Sequence, residues 1–410
     1  MLISDYKIAV IGLGYIGLPL FCMLSRLYQC VGIDTDKHRV KQLQEGEDYK
    51  CCDKRRNILW ALRNSKISSD YADAKECNVY IVCLPTDVDK SKHPALKPLT
   101  EACKSIGAIL KKGDIVIFES TVYPGATEEV CNPVLEQYSG LTLDVDYSLG
   151  YSPERINVGD KSHHIYNTPK IVAASNEPAL EIVSNIYSSV IDAEIVKASS
   201  IKVAEAAKMY ENVQRDVLIA LANEYADYCR AEGISTNEVT RCASTKWNFS
   251  NVNPGMVGGH CIGVDPYYLL HRASLLNADI PLIQKARTIN EEILQKVFER
   301  VKNEINSLNK SNQEISILIL GLSYKPNTPD IRNSKALELT KLLIGDFLDV
   351  TVFDPLVNSF QVKKHLKIDV VKSAEELRTE YDVVIRLVNH KHFAKIEITA
   401  NKCLSVEDLL

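Results

Sequence analysis

The chain has 410 residues, 46% of them apolar and 25% charged, the make-up of a soluble globular protein long enough for two or three domains. A formal net charge of −5 gives no reason to propose nucleic-acid binding, so an anionic ligand would need a local cluster of basic groups. The 12 cysteines are scattered, with no CxxC pair and no zinc-like spacing, which supports neither a disulfide framework nor a metal site and favours a reducing, cytoplasmic setting.

The first half alternates short apolar runs with helical stretches, the pattern of a parallel sheet with crossover helices. Residues 7–11, 30–33, 79–84, 115–118, 170–174 and 194–196 read as its strands. The uncharged run 8–24, between Lys7 and Arg26, has the flanks of a signal anchor. It is short for a span, and its glycines, Pro19 and the strand ending in Asp34 favour a buried βαβ unit. Gly12-Leu13-Gly14-Tyr15-Ile16-Gly17 follows the first strand, and Asp34 closes the second, 22 residues after Gly12. Alone, GxGxxG can be a turn that packs helix on strand. In this setting it predicts a dinucleotide site, with Asp34 accepting from ribose hydroxyls and repelling a 2′-phosphate, hence NAD over NADP. Arg39 would cover the adenine or a phosphate, or else be a solvated helix residue. Thr86 and Thr121 stand just past strand carboxyl ends, where open α/β sheets bind ligands.

After Lys197 the pattern becomes helical. Ser199 or Ser200 could cap a helix reaching about Arg230, before the turn Glu232-Gly233, and 281–309 reads as a second long helix. A second α/β unit begins at 315–321, with later strands at 350–355 and 383–385; lacking a full GxGxxG, it suits a mononucleotide better than a dinucleotide. The expected class is α/β, with an N-terminal Rossmann-type dinucleotide domain (1–197), a central helical domain (198–310) and a C-terminal Rossmann-like nucleotide-binding domain (311–410).

Between the long helices lies Val257-Gly258-Gly259-His260-Cys261-Ile262-Gly263-Val264-Asp265-Pro266. Two glycines allow close approach of backbone to a ligand, a thiol follows at once, and a carboxylate comes four residues later. A nicotinamide cofactor and a nucleophilic cysteine point to oxidation through a thiohemiacetal and a thioester. On the first long helix Lys208, Asn212 and Arg215 share one face. Such a stripe is ordinarily solvated, yet an ammonium beside an amide donor is also what a developing oxyanion needs. Glu154, Tyr324, Lys325 and Arg332 would each be surface chemistry if met alone; the basic ones stand where a phosphate or uracil would lie.

Together these segments resemble the UDP-glucose/UDP-N-acetylhexosamine 6-dehydrogenase family, from Lys7 to at least Asp354. The matching stretches are 12–17, 119–125, 152–156, 205–216, 258–266 and 321–332. Lys246-Trp247-Asn248-Phe249 and the run after Gly258 look most like the UDP-N-acetylglucosamine and UDP-N-acetylgalactosamine enzymes of capsular and Vi-type polysaccharide pathways. The resemblance implies a four-electron oxidation of the sugar C6 alcohol with two NAD, Cys261 being the nucleophile. An ordinary thiol has a pKa near about 8.5, so a local positive field would help to form the thiolate. Lys208 would supply it and, with Asn212, stabilise oxyanions. Glu154, Thr121 and Asp265 are candidates to hold the hydrolytic water, and which group removes the first alcohol proton stays open. Glu154, Arg155, Ile156, Lys208, Asn212, Arg215, Gly258, Tyr324 and Lys325 match substrate contacts. Gly12, Gly14, Tyr15, Ile16, Gly17, Asp34, Arg39, Thr86, Thr121 and Arg332 match cofactor contacts.

One departure is Val158, where UDP-glucose enzymes carry a second glutamate; it fits a pocket that admits an N-acetyl group. The resemblance also implies a homodimer or larger even-numbered assembly through the middle helices, in the cytoplasm; the apolar Val203, Ala207, Tyr210, Val217 and Leu221 would suit such an interface, although packing within the chain explains them as well. No membrane or nucleic-acid partner and no metal is expected. The competing readings are a UDP-N-acetylmannosamine or UDP-glucose enzyme, a two-electron hydroxyacid-type dehydrogenase, and an NAD-responsive binding protein. A two-electron enzyme needs neither the cysteine loop nor a third domain, and a degenerate binder would have lost a catalytic group.

Overall fold

Strands here are apolar on both faces because crossover helices cover both sides of a parallel sheet. The computed structural model describes residues 5–49, 52–156, 162 and 164–410, with the side chain of residue 395 excepted; Val158 lies outside them. The chain divides into two compact units, Met1–Glu211 with Tyr267–Asn277, and Asn212–Pro266 with Ala278–Leu410.

The first unit is built on eight strands: β1 (Lys7–Ile11), β2 (Gln29–Ile33), β3 (Lys66–Ser68), β4 (Val79–Val82), β5 (Ile115–Phe118), β6 (Ser148–Tyr151), β7 (Lys170–Ala174) and β8 (Ile195–Lys197). Their order is β3-β2-β1-β4-β5-β6-β7-β8, parallel except where β6 meets β7. Ile8 pairs with Cys30 on one side and Val79 on the other. The chain thus winds outward in both directions from the β1–β4 neighbourhood, and the carboxyl ends of those strands form the crevice where such sheets take ligands. Ile8, Val10, Phe21, Ile81, Ile117 and Val183 are among the buried side chains that weld sheet to helices, each worth about 1.5–3 kcal/mol when fully buried.

The helix Ile201–Glu232 opens on Ser200, whose hydroxyl accepts from Val203 N–H at 3.2 Å, and stops at Gly233, with φ of +75°. In the second unit the helix Pro281–Asn306 starts with proline in its first turn, where a missing N–H costs nothing. Four parallel strands, β9 (Ser316–Leu320), β10 (Asp349–Phe353), β11 (Glu380–Arg386) and β12 (Thr399–Ser405), follow in the order β10-β9-β11-β12. Three strands of the two sheets, β3, β6 and β12, had no counterpart in the sequence reading. Among the described residues no helix is long and apolar enough to cross a membrane.

Candidate active site

In the first unit the turn after β1 is shaped by contacts only glycine permits. Gly12 has φ of +91°, and an added Cβ would lie 2.7 Å from the Cys83 carbonyl oxygen; one on Gly17 would lie 1.9 Å from the Gly12 oxygen. At Gly14 such an atom would meet nothing within 4 Å. Two glycines therefore close helix onto strand, and the middle one leaves open room of the kind a pyrophosphate fills. Tyr15 and Ile16 lead into the helix Gly17–Leu24. Asp34 accepts from Leu13 N–H at 3.0 Å with one oxygen and from Asp36 N–H at 3.0 Å with the other, and each keeps a lone pair for a ribose hydroxyl. These residues fit NAD. Arg39 is fully buried, its guanidinium donating to the Leu13 carbonyl and pairing with Asp48 at 2.5 Å, so it braces the turn from behind. Ser120 bonds both backbone groups of Leu84, tying the loop that carries Thr121 to the one that carries Thr86.

Glu154 follows β6. Its Oε1 accepts from Arg155 N–H at 2.7 Å and Ile156 N–H at 2.6 Å, while Oε2 is buried with no hydrogen bond among the described residues. Arg155 is held by Glu211 at 2.6 Å and the Pro169 carbonyl at 3.0 Å. On the helix Ile201–Glu232, Lys208 is 6% exposed and forms no ion pair among the described residues, so its side chain is available to a ligand anion. Glu205, one turn earlier, accepts from the backbone N–H groups of Gly125 and Thr127 at 2.5 and 3.0 Å. Burial, opposed by those hydrogen bonds, pushes its pKa up to about 7.

The second unit holds Cys261. Gly259 has φ of +82° and packs against Tyr324; a Cβ there would lie 2.9 Å from the ring. Gly258 lies flat against Asn333, with room for no methyl group, since a Cβ would sit 2.6 Å from the Asn333 oxygen. Gly259 N–H donates to that oxygen at 3.1 Å. The glycine pair thus clamps the cysteine loop onto residues 324–333, and Cys261 itself stands exposed. Its carbonyl accepts from Asp265 N–H at 2.9 Å, at the start of the helix Asp265–Leu275. Asp265 is buried and accepts from Asn212 Nδ2 at 2.5 Å, so two residues 53 positions apart, each singled out from the sequence for a different role, meet. Arg215, one turn past Asn212, is exposed.

Around this loop His260 Nε2 lies 3.4 Å from Asp330 Oδ2, and Arg332 chelates the same carboxylate. Burial would raise the Asp330 pKa, but His260 and Arg332 outweigh it and hold it well below the usual carboxylate range. Burial, then the charges of Asp330 and Cys261, push the Tyr324 phenol up to about 12, leaving an O–H donor at neutral pH. Lys325 is half-buried, its carbonyl capped by Ser323 and Thr328 hydroxyls. Glu205, Asn333 and His260 were not singled out from sequence. Asn333 carried a signal in hindsight, as asparagine tolerates its φ of +50°.

Three domain models match in succession: the UDP-glucose/GDP-mannose dehydrogenase family NAD binding domain over residues 6–191, central domain over 202–292 and UDP binding domain over 318–406. The chain is 41% identical over 394 residues to the UDP-N-acetyl-D-glucosamine 6-dehydrogenase of Salmonella typhi, covering 96% of this chain and 92% of that one. The chain belongs to the UDP-glucose/GDP-mannose dehydrogenase family. This dehydrogenase is also 43% identical over 391 residues to protein CapL of Staphylococcus aureus, covering 94% of this chain and 90% of the relative. The solved UDP-D-ManNAc dehydrogenase of Pyrococcus horikoshii superposes with a TM-score of 0.86 at 31% identity, covering 95% and 91% of the two chains. The dehydrogenase is accordingly an NAD-dependent oxidoreductase acting on a nucleotide sugar, with three-domain α/β architecture.

Proposed function

We propose that this dehydrogenase oxidises the C6 alcohol of UDP-N-acetylglucosamine to the carboxylate for a surface polysaccharide. The observation that carries the reading is an exposed Cys261 on a double-glycine loop clamped to the UDP-binding domain, with the Asn212–Asp265 pair on the same unit. The higher identity to the Salmonella typhi relative than to the Pyrococcus horikoshii enzyme favours the gluco-configured N-acetyl sugar; the galacto, manno and UDP-glucose substrates follow in that order. Residues 1–197 would bind NAD, 198–310 carry the cysteine and self-association contacts, and 311–410 hold the UDP-sugar.

NAD supplies the two hydride-accepting equivalents. The alcohol and one water yield the carboxylate, two NADH and three protons. Cys261 sulfur bonds to the C6 aldehyde carbon, giving a thiohemiacetal and, once oxidised, a thioester; water then adds as the C–S bond breaks and the electron pair returns to sulfur. Lys208 and Asn212 offer N–H donors to the oxyanions, and Glu154, Thr121 and Asp265 are the groups to hold the water. Gly12, Gly14, Tyr15, Ile16, Gly17, Asp34, Thr86 and Thr121 would line the cofactor, with Arg39 bracing the turn and Arg332 a further contact. Arg155, Ile156, Arg215, Gly258, Tyr324 and Lys325 would line the sugar nucleotide. The enzyme would act in the cytoplasm as a homodimer or larger even-numbered assembly.

The test is NADH released per limiting UDP-sugar across the four sugars. Two NADH from UDP-N-acetylglucosamine is the expected result. One NADH would end the four-electron reading and the role of Cys261, and turnover of another sugar alone would move the substrate assignment.

A further inference from the structure

Behind Glu154 the first unit buries a charge cluster that the reaction scheme does not use. Lys170, the first residue of β7, has a side chain 4% exposed and donates to Glu119 Oε2 at 2.9 Å. Glu119, at the end of β5, takes a second bond at Oε1 from the Tyr187 hydroxyl at 2.5 Å, and the Lys170 ammonium stands 5.2 Å from the centre of the Tyr187 ring. Both Glu119 oxygens are thus engaged. The same ammonium bonds the Pro153 carbonyl at 3.4 Å and lies 3.6 Å from Glu154 Oε2. That is an ion pair too long for a hydrogen bond, and Oε2 is a buried acceptor with no hydrogen-bond partner among the described residues.

We propose that Lys170, locked by Glu119 and Tyr187, is a positioning residue that fixes the aim of the Glu154 carboxylate. The inference rests on the dehydrogenase reading, in which Glu154 meets an O–H of water or sugar. Two adjacent backbone N–H groups pin Oε1, and Lys170 attracts Oε2 without occupying it. The result is a carboxyl group with one oxygen pinned and the other carrying an oriented, unfilled lone pair, aimed to meet the O–H it holds. Among the described residues Lys170, Glu119 and the Cys83 thiol act on this carboxyl group, with the Tyr187 phenol held on Glu119. Burial, then the nearby Glu119 charge, raises the Cys83 pKa well above the ordinary value, and burial likewise keeps Tyr187 neutral. Burial opposes the Lys170 charge, but Glu119 and Glu154 outweigh it and hold its pKa above the ordinary lysine value. Burial raises the Glu119 pKa as well, and Lys170 is the cation that opposes this where two carboxyl groups share one buried pocket.

Lys170→Met should lower kcat by about 10²-fold, change the KM for UDP-N-acetylglucosamine little, and move the acidic limb of the kcat profile up by about one pH unit or more. Lys170→Arg keeps the charge and should keep the limb near its wild-type position. Infrared difference spectra of the NAD-free proteins at neutral pH give a readout independent of turnover: the Glu154 carboxyl bands, identified by their loss in Glu154→Gln, should shift in Lys170→Met and stay in place in Lys170→Arg. Glu154 bands that do not shift in Lys170→Met would overturn the assignment. So would equal losses in Lys170→Met and Lys170→Arg with the limb unmoved. Tyr187→Phe, which removes one bond to Glu119 and no charge, covers the case in which Lys170→Met does not fold: Glu119 then protonates more readily and leaves Lys170 to Glu154, so the acidic limb should shift by less and to lower pH, and an unmoved limb would count against the lock. If the wild type released no NADH from any of the four sugars, the substrate reading would fail while the infrared comparison still decided the role of Lys170.

Discussion

Gly258 sits where one methyl group has no room, because the atom it would meet, 2.6 Å away, is backbone oxygen of Asn333 and not a side chain that can swing aside. Gly258→Ala must part the cysteine loop from residues 324–333. Overpacking of this kind costs about 1–3 kcal/mol, and a nucleophile displaced by an ångström can lose about 10²-fold in rate. We expect kcat to fall on that scale while NAD affinity, measured by fluorescence titration, holds; an unchanged kcat would remove the clamp from the mechanism. Cys261→Ser replaces the sulfur nucleophile by a hydroxyl that is scarcely ionised, so uronate formation should stop with cofactor binding intact, and full turnover would end the covalent scheme. Cys261, Asp265, Asn212 and Lys208 were legible in the sequence because their types and spacings are chemically unusual within one helix or one loop. Lys170 and Glu119 were not, since they stand 51 positions apart and each reads locally as an ordinary residue at a strand end.

Elements announced themselves in proportion to their apolar length. KIAVI and IVIF form β1 and β5 as read, and β7 likewise, because both faces are buried. The three-residue KIS, the glycine-bearing SLGY and the polar TANKCLS carry too little apolar pattern, and neighbouring strands impose their conformation. What joins elements was less legible still. Glu205 ties the helix Ile201–Glu232 to the loop carrying Thr121 through two backbone N–H groups. Its pKa is raised from 4.5 to about 7, so between those values the native state binds more protons than the unfolded chain. Stability therefore falls as pH rises across that window and levels off above it, by at most about 3 kcal/mol. Glu205→Gln removes the titration, and the drop in Tm between pH 5 and 7.5 should shrink relative to wild type. Parallel Tm–pH curves would show that Glu205 stays ionised throughout. Glu205→Ala should cost about 1–3 kcal/mol, because a buried N–H is left without an acceptor.

At the scale of the molecule the two nucleotide folds repeat one local design and diverge at its acid. Gly12 N–H donates to the Ile33 oxygen at 2.7 Å and Gly321 N–H to the Phe353 oxygen at 3.0 Å; Leu13 and Leu322 N–H donate to Asp34 and Asp354 at 3.0 and 2.8 Å. Asp354, however, is fully buried, 3.2 Å from His390, and so serves the fold where Asp34 can serve a ribose. The sequence foresaw a second unit without a dinucleotide turn; that its acid is spent on a histidine 36 positions later is a tertiary fact. Self-association belongs to the same scale. Along the helix Ile201–Glu232, Val203, Tyr210, Leu221, Tyr225 and Tyr228 are exposed in the single chain, Tyr210 by 70% and Leu221 by 60%, whereas Val217 packs inside against Ala220, Ala286 and Ile289. The spacing sets the exposed five along one stripe, and apolar rows of this length mark contact surfaces. The occupant we expect is the same helix of a second copy. Tyr210→Asp with Leu221→Asp should weaken association by about 2–4 kcal/mol or more and shift the mass seen by light scattering from dimer to monomer, with the helical circular dichroism unchanged. A dimer that survives both substitutions would place the interface elsewhere, and a wild type that is monomeric at micromolar concentration would leave the stripe with another partner.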